Sequence, residues 1–548
     1  MFAGWIIAAL HIAALIIGFL SEYEFFHLAL FVLAWALLNF LFLMVLRRPA
    51  ISAALSLALV CGIIEMSQFK WGITYMTATF LDLLVIDTDT FAFLIQIFPR
   101  LRWWIAGGFI VGIPLAVMLW RYDRFRVRRW ISLAGAALCL AAIIPMSFAK
   151  PEEGWEPFQG VNHISNFTRS GVFAVSQLMA TGWLEAATHV ADPVPMTSAT
   201  ACKPARKLPN IIVVLDESSF DAANAPGIKL PEGYARHFTS FDGKKRLLEV
   251  ESTGGPTWYA EYNLLAGLSA RSYGKLKYYL TRIAAGHITR GLPNALKKCG
   301  YDTYSLYPAL GDFLSARRFQ TALGIDHFID QHGMGADVEM HPDSFFYDQT
   351  AKLFAKRADE KPLFVFTYLT ANHFPWTVDY HPELTPDWKA PDNTPEIDEY
   401  LRRQIMSAND YRAFVARLKR EFPGEQFLIV RFGDHQPAIS SKLLEPNAES
   451  KTVARKMMDY DPLYFTTYYA IDAVNFDPVD ASAALGRLEG AYMPLMIQEL
   501  AGVPLDPSFV EQKKIMQRCA GKFYTCNGGA EARRFNRLLI DAGLIKGL

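Results

Sequence analysis

Nearly all of the apolar excess in this 548-residue chain lies before Lys150, and that asymmetry limits the fold more than any other feature. Hydrophobic residues make up 52% of the whole, high for a wholly soluble protein. Phe25 to Leu46 is a run of 22 residues without a formal charge, long enough to span a bilayer. Trp5 to Leu20, Pro49 to Ser67, Trp103 to Trp120 and Ile131 to Ala149 read the same way, which gives five spans. The first has no basic residue before it and is followed at once by another span, so it reads as an anchor and not as a cleaved leader. Five spans place Arg47-Arg48 and the arginine-rich loop from Arg121 to Arg129 on the cytoplasmic side, and Ser21 to Glu24 on the other. Phe80 to Phe98 is apolar too, but Asp82, Asp87 and Asp89 are expensive in lipid, and a sixth span would carry the arginines outside. A re-entrant or interfacial helix is expected there, with the C-terminal part of the chain on the extracytoplasmic face.

Cysteine usage agrees with that side. Cys61 and Cys139 fall inside spans, whereas Cys202, Cys299, Cys519 and Cys526 form an even set in a disulfide-permissive compartment. Cys519 with Cys526 is the expected pair and Cys202 with Cys299 the remaining combination; four free thiols is the alternative, since sequence alone does not fix connectivity. The net charge of +0 gives no electrostatic support to nucleic-acid binding. Residues 1–149 therefore read as a transmembrane domain and 208–548 as an extracytoplasmic domain. Between them, 150–207 combine a helical stretch from Ser170 to Leu184 with a proline-rich linker from Ala191 to Pro204. That helical stretch suits either the membrane surface or packing on the globular domain.

After Leu208, strand-like runs alternate with helical patterns, as in a parallel sheet covered by helices. Helical patterns at Thr350 to Arg357 and Asn409 to Phe422 precede two of the strands, a late strand is expected near Tyr464 to Ile471, and the tail from Ala481 reads as mainly helical. Three unbroken apolar runs end in chemistry: Asn210 to Asp216 in Glu217, Leu363 to Leu369 in Asn372-His373, and Phe427 to Phe432 in Gly433-Asp434-His435. Ligands bind outside the carboxyl ends of such strands, so Glu217, His373, Asp434 and His435 are expected to converge despite their separation in the chain. Glu251-Ser-Thr-Gly-Gly-Pro-Thr257-Trp, followed by helical spacing, places Thr257 near a helix N-terminus, where backbone N–H groups favour phosphate and a nearby cation activates a hydroxyl. The plain alternative is a capping threonine. Two carboxylates and an imidazole are hard and borderline ligands suited to Mn²⁺, Zn²⁺ or Mg²⁺.

The set Asp216-Glu217-Ser218, Gly255-Pro-Thr257-Trp, Asn372-His373-Phe-Pro and Gly433-Asp434-His435 resembles the sulfatase-like branch of the alkaline phosphatase superfamily. Within it the chain is similar to membrane-anchored lipoteichoic acid synthases, phosphoglycerol transferases of periplasmic glucans, and phosphoethanolamine transferases. That resemblance implies an N-terminal five-helix membrane domain joined to an α/β sulfatase-like domain. It implies Glu217, Thr257, Asp434 and His435 as ligands of a divalent metal, Thr257 as nucleophile, and His373 as a substrate-phosphate contact that protonates the leaving alkoxide. It assigns a basic phosphate-binding residue to Arg317, with Arg318 as rival, although the arginine is displaced by about one position and a neighbouring tryptophan is missing. At Pro256, where a true sulfatase would carry Cys/Ser-X-Pro-X-Arg, the chain reads Gly255-Pro-Thr257-Trp, which argues against sulfate-ester hydrolysis.

The implied activity is transfer of a phosphoglycerol or phosphoethanolamine head group from a phospholipid, phosphatidylglycerol or phosphatidylethanolamine, to an envelope glycan or glycolipid. A phosphothreonine intermediate carries the group, and the protein sits as a multi-pass protein in the bacterial inner membrane with its catalytic domain periplasmic. Gly-Pro-Thr-Trp tilts the choice toward phosphoglycerol. The alternatives are a membrane-tethered phosphodiesterase or phosphatase using the same ligands, and a non-catalytic protein that binds an envelope ligand. Transport is disfavoured, because the spans lack paired ionisable residues apart from Glu65 and no repeat is visible.

Overall fold

The computed structural model describes the chain except residues 1, 75, 86–90, 92–93, 96–97, 151–155, 157–158, 191–193, 198–201, 337–339, 358–359 and 548. It forms two compact units, Met1–Ala180 and Thr181–Leu548.

In the first unit, five helices among the described residues are long and apolar enough to cross a membrane. They are α1 (Phe2–Ser21), α2 (Glu24–Leu46), α3 (Pro49–Thr74), α4 (Leu101–Tyr122) and α5 (Arg129–Ala149). Helix α2 packs against both α3 and α5. On α5, Gly135 makes room for this, because a Cβ there would stand 2.6 Å from the Phe40 ring. Helix α4 leaves Trp103 and Trp104 74% and 78% exposed, an arrangement that suits lipid and not water.

Hydrogen bonds fix the two ends of this bundle. At one end Asp123 Oδ2 accepts from Ala50 N at 2.7 Å, capping α3, and Val127 N donates to Arg47 O at 2.9 Å, so both arginine clusters lie together. At the other end Asn162 N donates to Ser21 O at 3.0 Å, and Ser67 pairs with His163 at 2.8 Å. Helix α3 leaves the arginine end and α4 returns to it, so the end of α3 and the start of α4 lie on the opposite side, as the charge asymmetry requires. A six-residue helix, Phe80–Val85, lies there with Asp82 paired to Lys70 at 2.9 Å. Asp87 and Asp89 lie outside the described residues. Helix α6 (His163–Thr181) takes up much of the amphipathic stretch, and Ile164 and Phe167 bury against the first unit's own core, where the sequence had offered the membrane surface or the globular domain.

The second unit is built on an eight-stranded sheet: β1 (Asn210–Asp216), β2 (Arg246–Glu249), β3 (Asp302–Leu306), β4 (His327–Ile329), β5 (Leu363–Tyr368), β6 (Phe427–Gly433), β7 (Thr466–Val474) and β8 (Arg487–Glu489). Their order is β4-β3-β5-β1-β6-β7-β2-β8. The stretch from β4 to β6 is parallel, and β7 runs antiparallel to β6 and β2. The register sets Leu215 beside Tyr368 and Asp216 beside Gly433, so three apolar strands release their following residues at one edge.

The runs are continuous because both faces are covered: Ile211 to Leu215 are fully buried. Helix α7 (Thr257–Ala266) starts beside this edge, and α8 (Asp343–Lys356) and α9 (Pro395–Glu421) pack Phe346, Phe354, Phe414 and Leu418 against Ile212, Val214, Val365 and Ile429. Each such buried side chain contributes about 1.5–3 kcal/mol. Helix α9 begins well before the expected Asn409. Thr394 caps it and Pro395 opens it, while its buried first half is rich in charged residues that the apolar pattern missed. Disulfides join Cys202 to Cys299 and Cys519 to Cys526, with Cα atoms 5.1 Å and 5.8 Å apart.

Candidate active site

Residue Glu217 follows the last residue of β1, and Asp434 and His435 follow β6, so adjacent parallel strands deliver all three. Close packing is required here: a Cβ on Gly433 would stand 1.8 Å from Ser219 O. Just before Ser219, Ser218 takes a left-handed φ of 53°, a costly conformation for a side-chain residue. In that conformation its N–H donates to Asp434 Oδ1 at 2.9 Å, and the His435 N–H reaches the same oxygen at 2.9 Å. With Oδ1 committed to the backbone, Asp434 Oδ2 has no hydrogen-bond partner although the residue is fully buried.

His435 is fixed in the same manner. Its Nδ1 donates to Gln436 O at 2.9 Å, which leaves Nε2 as the ligating nitrogen, 3.4 Å from Glu217 Oε1 and 3.3 Å from Asp434 Oδ2. Nε2 is likewise buried without a hydrogen-bond partner. Ligand atoms of Glu217, Asp434 and His435 all lie within 4.8 Å of one another. Two orphaned buried atoms facing a third ligand are costly unless a cation sits among them, so the donor set fits a divalent ion.

Thr257 completes the group from α7. It is the first helical residue after Pro256, but its hydroxyl does not cap the helix. Oγ1 donates instead to Glu217 Oε2 at 3.1 Å, with Gly255 O 3.3 Å away. The threonine oxygen thus stands beside the carboxylate–imidazole cluster.

Electrostatics of the bare cluster point the same way. Burial acts to raise Glu217, yet His435 beside it holds the carboxyl down at about 2. Burial pushes Asp434 up to about 7, reinforced by the negative charge of Glu217. Burial acts to lower His435, but Asp434 and Glu217 prevail and hold it up at about 9. The site favours positive charge at its centre, whether a proton or a metal ion.

His373, on the loop after β5, is half-buried, and its charge reaches Glu217. Arg317 is placed differently. It pairs with Asp330, donates to Phe328 O at 3.1 Å and stacks over the Phe328 ring, so none of its described contacts brings it to the cluster. Arg318 is exposed on the short helix Ala316–Ala322 that also carries Arg317.

Sequence reasoning missed the groups that hold the His373 loop. Arg403 on α9 is fully buried; it donates to the carbonyls of His373, Pro375 and Val378, each at 2.9 Å, and pairs with Glu399 at 2.7 Å. Asp343 Oδ1 accepts from Thr370 N and Ala371 N at 3.2 Å and 3.1 Å. Beneath the cluster, Asp216 accepts from His237 Nε2 at 2.9 Å and from the Tyr468 hydroxyl, so this carboxylate is committed to the sheet and not to the ligand set. A Glu–Arg pair four apart on a helix ordinarily marks a solvated face, which is why Glu399 and Arg403 carried no signal.

Residues 209–460 match the sulfatase family. The second unit carries a sulfatase-like domain. Over 385 residues the chain is 23% identical to a Rhizobium meliloti (strain 1021) protein named for the modification of cyclic beta-1,2-glucan, covering 68% of this chain and 56% of that one. An uncharacterized protein of Haemophilus influenzae is 23% identical over 257 residues, 43% of this chain and 45% of the other. The chain thus spans about half the length of the curated relatives it matches. Among solved structures, the phosphoglycerol transferase GacH of Streptococcus pyogenes is 16% identical with a TM-score of 0.47, covering 62% of this chain and 87% of that one. The lipooligosaccharide phosphoethanolamine transferase EptA of Neisseria meningitidis is 13% identical with a TM-score of 0.42, covering 85% and 89%. Cys202-Lys-Pro-Ala-Arg206 has the spelling of the Cys/Ser-X-Pro-X-Arg motif, but Cys202 lies ahead of β1 in a disulfide with Cys299, and Pro256-Thr257-Trp258 stands at the start of α7.

Proposed function

We propose that the protein is a metal-dependent phosphotransferase that moves a phosphoglycerol or phosphoethanolamine head group from a phospholipid to an envelope glycan or glycolipid. The observation that carries this reading is the Thr257 hydroxyl, turned from helix capping to the Glu217 carboxylate beside the orphaned atoms of Asp434 and His435. Glu217, Asp434, His435 and Thr257 hold the metal, which when bound supplies positive charge for a threonine alkoxide and for phosphate oxygens. Mn²⁺, Zn²⁺ and Mg²⁺ all suit this donor set.

In the first step Thr257 Oγ1 attacks phosphorus and its proton leaves toward Glu217 Oε2. The bond from phosphorus to the diacylglycerol oxygen breaks, and His373 protonates that oxygen, leaving a phosphothreonine diester. In the second step an acceptor hydroxyl attacks the same phosphorus and gives its proton to His373, the bond from phosphorus to Thr257 Oγ1 breaks, and the proton returned from Glu217 restores the threonine hydroxyl. The glucan-modification name of the Rhizobium relative supports a glycan as acceptor. The spans keep the chain at the surface where lipid donors are concentrated. Arg317 reaches a substrate phosphate only by releasing Asp330.

Intact-protein mass spectrometry with peptide mapping tests the reading. The full chain is incubated with Mn²⁺ and phosphatidylglycerol or phosphatidylethanolamine, with and without a glucan acceptor. A head-group adduct on Thr257 that acceptor discharges is expected. Thr257→Ala removes the adduct and slows turnover by at least about a thousandfold, while thermal stability changes by only about 1 kcal/mol. Lipid consumption at one rate with or without acceptor would replace transfer by hydrolysis, and a folded Thr257→Ala protein with full turnover would move the nucleophile elsewhere.

A further inference from the structure

We propose that the end of the first unit opposite Arg47-Arg48 and the Arg121 to Arg129 loop holds a binding site for the head group of a zwitterionic aminophospholipid, built on Glu24, His27, Lys150 and Glu156. This goes beyond the transfer reading, since it concerns where lipid is held and not which bond Thr257 breaks. A cavity of about 290 Å³ lies there, lined also by Tyr23, Gln159 and Asn162.

The floor of the cavity fixes which atoms meet a ligand. Ser165 has one hydroxyl proton and two oxygens to receive it, Glu22 Oε2 at 2.5 Å and Asn162 O at 3.2 Å. It therefore accepts from His27 Nδ1, 2.9 Å away. With Nδ1 committed as a donor, the cavity-lining ring of His27 offers Nε2 as an acceptor.

The charges balance in pairs. Arg169 and Glu156 form a buried pair at 2.5 Å, with side chains 2% and 8% exposed. Lys150 and Glu24 form an open one at 3.1 Å, 35% and 67% exposed, which a ligand can enter. A phosphodiester meets Lys150 Nζ, and an ammonium group meets the Glu24 carboxylate and His27 Nε2. The opened pair is thus replaced charge for charge. An anionic head group would satisfy Lys150 and leave Glu24 facing negative charge, which the cavity disfavours.

The surroundings specify a membrane source. Tyr23 and Phe25, 64% and 85% exposed at the start of α2, have the position of interfacial aromatic anchors. Lys150 and Arg169 stand over the Phe26 ring at 5.7 Å and 5.5 Å. Glu24 itself takes a left-handed φ of 66°, and the chain around it is held there by Tyr23 N to Asn162 Oδ1 at 2.6 Å and Ile164 N to Glu22 Oε1 at 2.8 Å.

Native mass spectrometry of the full chain, released from mixed micelles of phosphatidylethanolamine, phosphatidylglycerol and phosphatidylcholine, tests the site. Retention of phosphatidylethanolamine is expected at about tenfold over phosphatidylglycerol, and Lys150→Ala and Glu24→Gln each reduce it about tenfold. Gln159→Ala, at an exposed lining position, serves as the variant least able to disturb folding and is expected to weaken retention measurably. Thr257→Ala is expected to retain lipid as wild type does, so loss of the transfer reading leaves this one standing. Lys150 and Glu24 variants that melt and retain lipid like wild type overturn the site. Equal retention of phosphatidylglycerol overturns the zwitterionic preference. Soluble glycerophosphoethanolamine that competes as tightly as the lipid replaces the membrane source with a free phosphodiester.

Discussion

At the scale of single residues, the cluster's behaviour follows from which atoms the backbone has already claimed. Asp434 Oδ1 and His435 Nδ1 are held by main-chain groups, so only Oδ2 and Nε2 remain to meet an ion. Burial works against a charged His435, yet Asp434 and Glu217 hold it protonated up to about 9. A folded-state value raised above the unfolded one near 6.5 contributes stability that is fully present below that value and is lost as pH rises through about 9. The contribution is on the order of 3 kcal/mol. Metal reverses the trend, because Nε2 ligates only after losing that proton. Metal affinity should therefore rise from pH 6 to pH 8, with protons released on binding and a growing gain in melting temperature. Calorimetric titration with Mn²⁺ in buffers of different protonation enthalpy measures both, and a flat profile without proton release would refute the assignment. Gly433 gives a steric counterpart. Gly433→Ala drives a Cβ into Ser219 O, pushes the ends of β1 and β6 apart, and should cost more than about 3 kcal/mol together with most of the bound metal. Metal content and melting temperature of the variant check this, and a variant that melts normally with full metal would refute it.

At the scale of elements, the sequence revealed what has a period or a punctuation mark. Strands β1, β5 and β6 were readable as continuous apolar runs because both faces are covered, and their parallel register then brought Glu217, Asp434 and His435 together. The three- and four-residue strands β2, β4 and β8 carry too few side chains to leave a pattern. The first half of α9 was hidden because it buries Asp398, Glu399, Arg402 and Arg403, polar residues that normally mark a solvated face. Arg403 clamps three carbonyls of the loop carrying His373, and no motif announces it. The clamp needs the guanidinium fork, since a lysine ammonium cannot reach all three carbonyls while also pairing with Glu399. Arg403→Lys is expected to keep the buried charge balanced and lower stability by about 1–2 kcal/mol. Turnover should fall more steeply, by about tenfold or more, through a misplaced His373. Comparing melting temperature with the rate of Thr257 adduct formation separates the two effects. A loss of rate no larger than the loss of stability explains would make Arg403 a purely structural clamp.

At the scale of the whole molecule, membrane topology and cysteine chemistry are one constraint seen twice. Five candidate spans among the described residues, with Arg47-Arg48 and Arg121 to Arg129 gathered at one end, send the second unit to the other side of the membrane, where disulfides persist. Both bonds there lie in the second unit, but they close loops of very different size. Cys202–Cys299 joins residues 97 apart and Cys519–Cys526 residues 7 apart. Closing a long loop removes more freedom from the unfolded chain, giving about 5 kcal/mol for the first bond against roughly 2 kcal/mol for the second. The first also ties the segment entering the domain to the residue that ends the short helix Leu292–Lys298, just ahead of β3. Cys202→Ser with Cys299→Ser should therefore lower the melting temperature of the full chain in detergent well beyond the drop from Cys519→Ser with Cys526→Ser, and a reductant should reproduce the larger drop in the wild type. Equal drops would mean that the unfolded second unit already keeps residues 202 and 299 close together, and that the longer bond secures the native entry segment more than it restricts the unfolded chain.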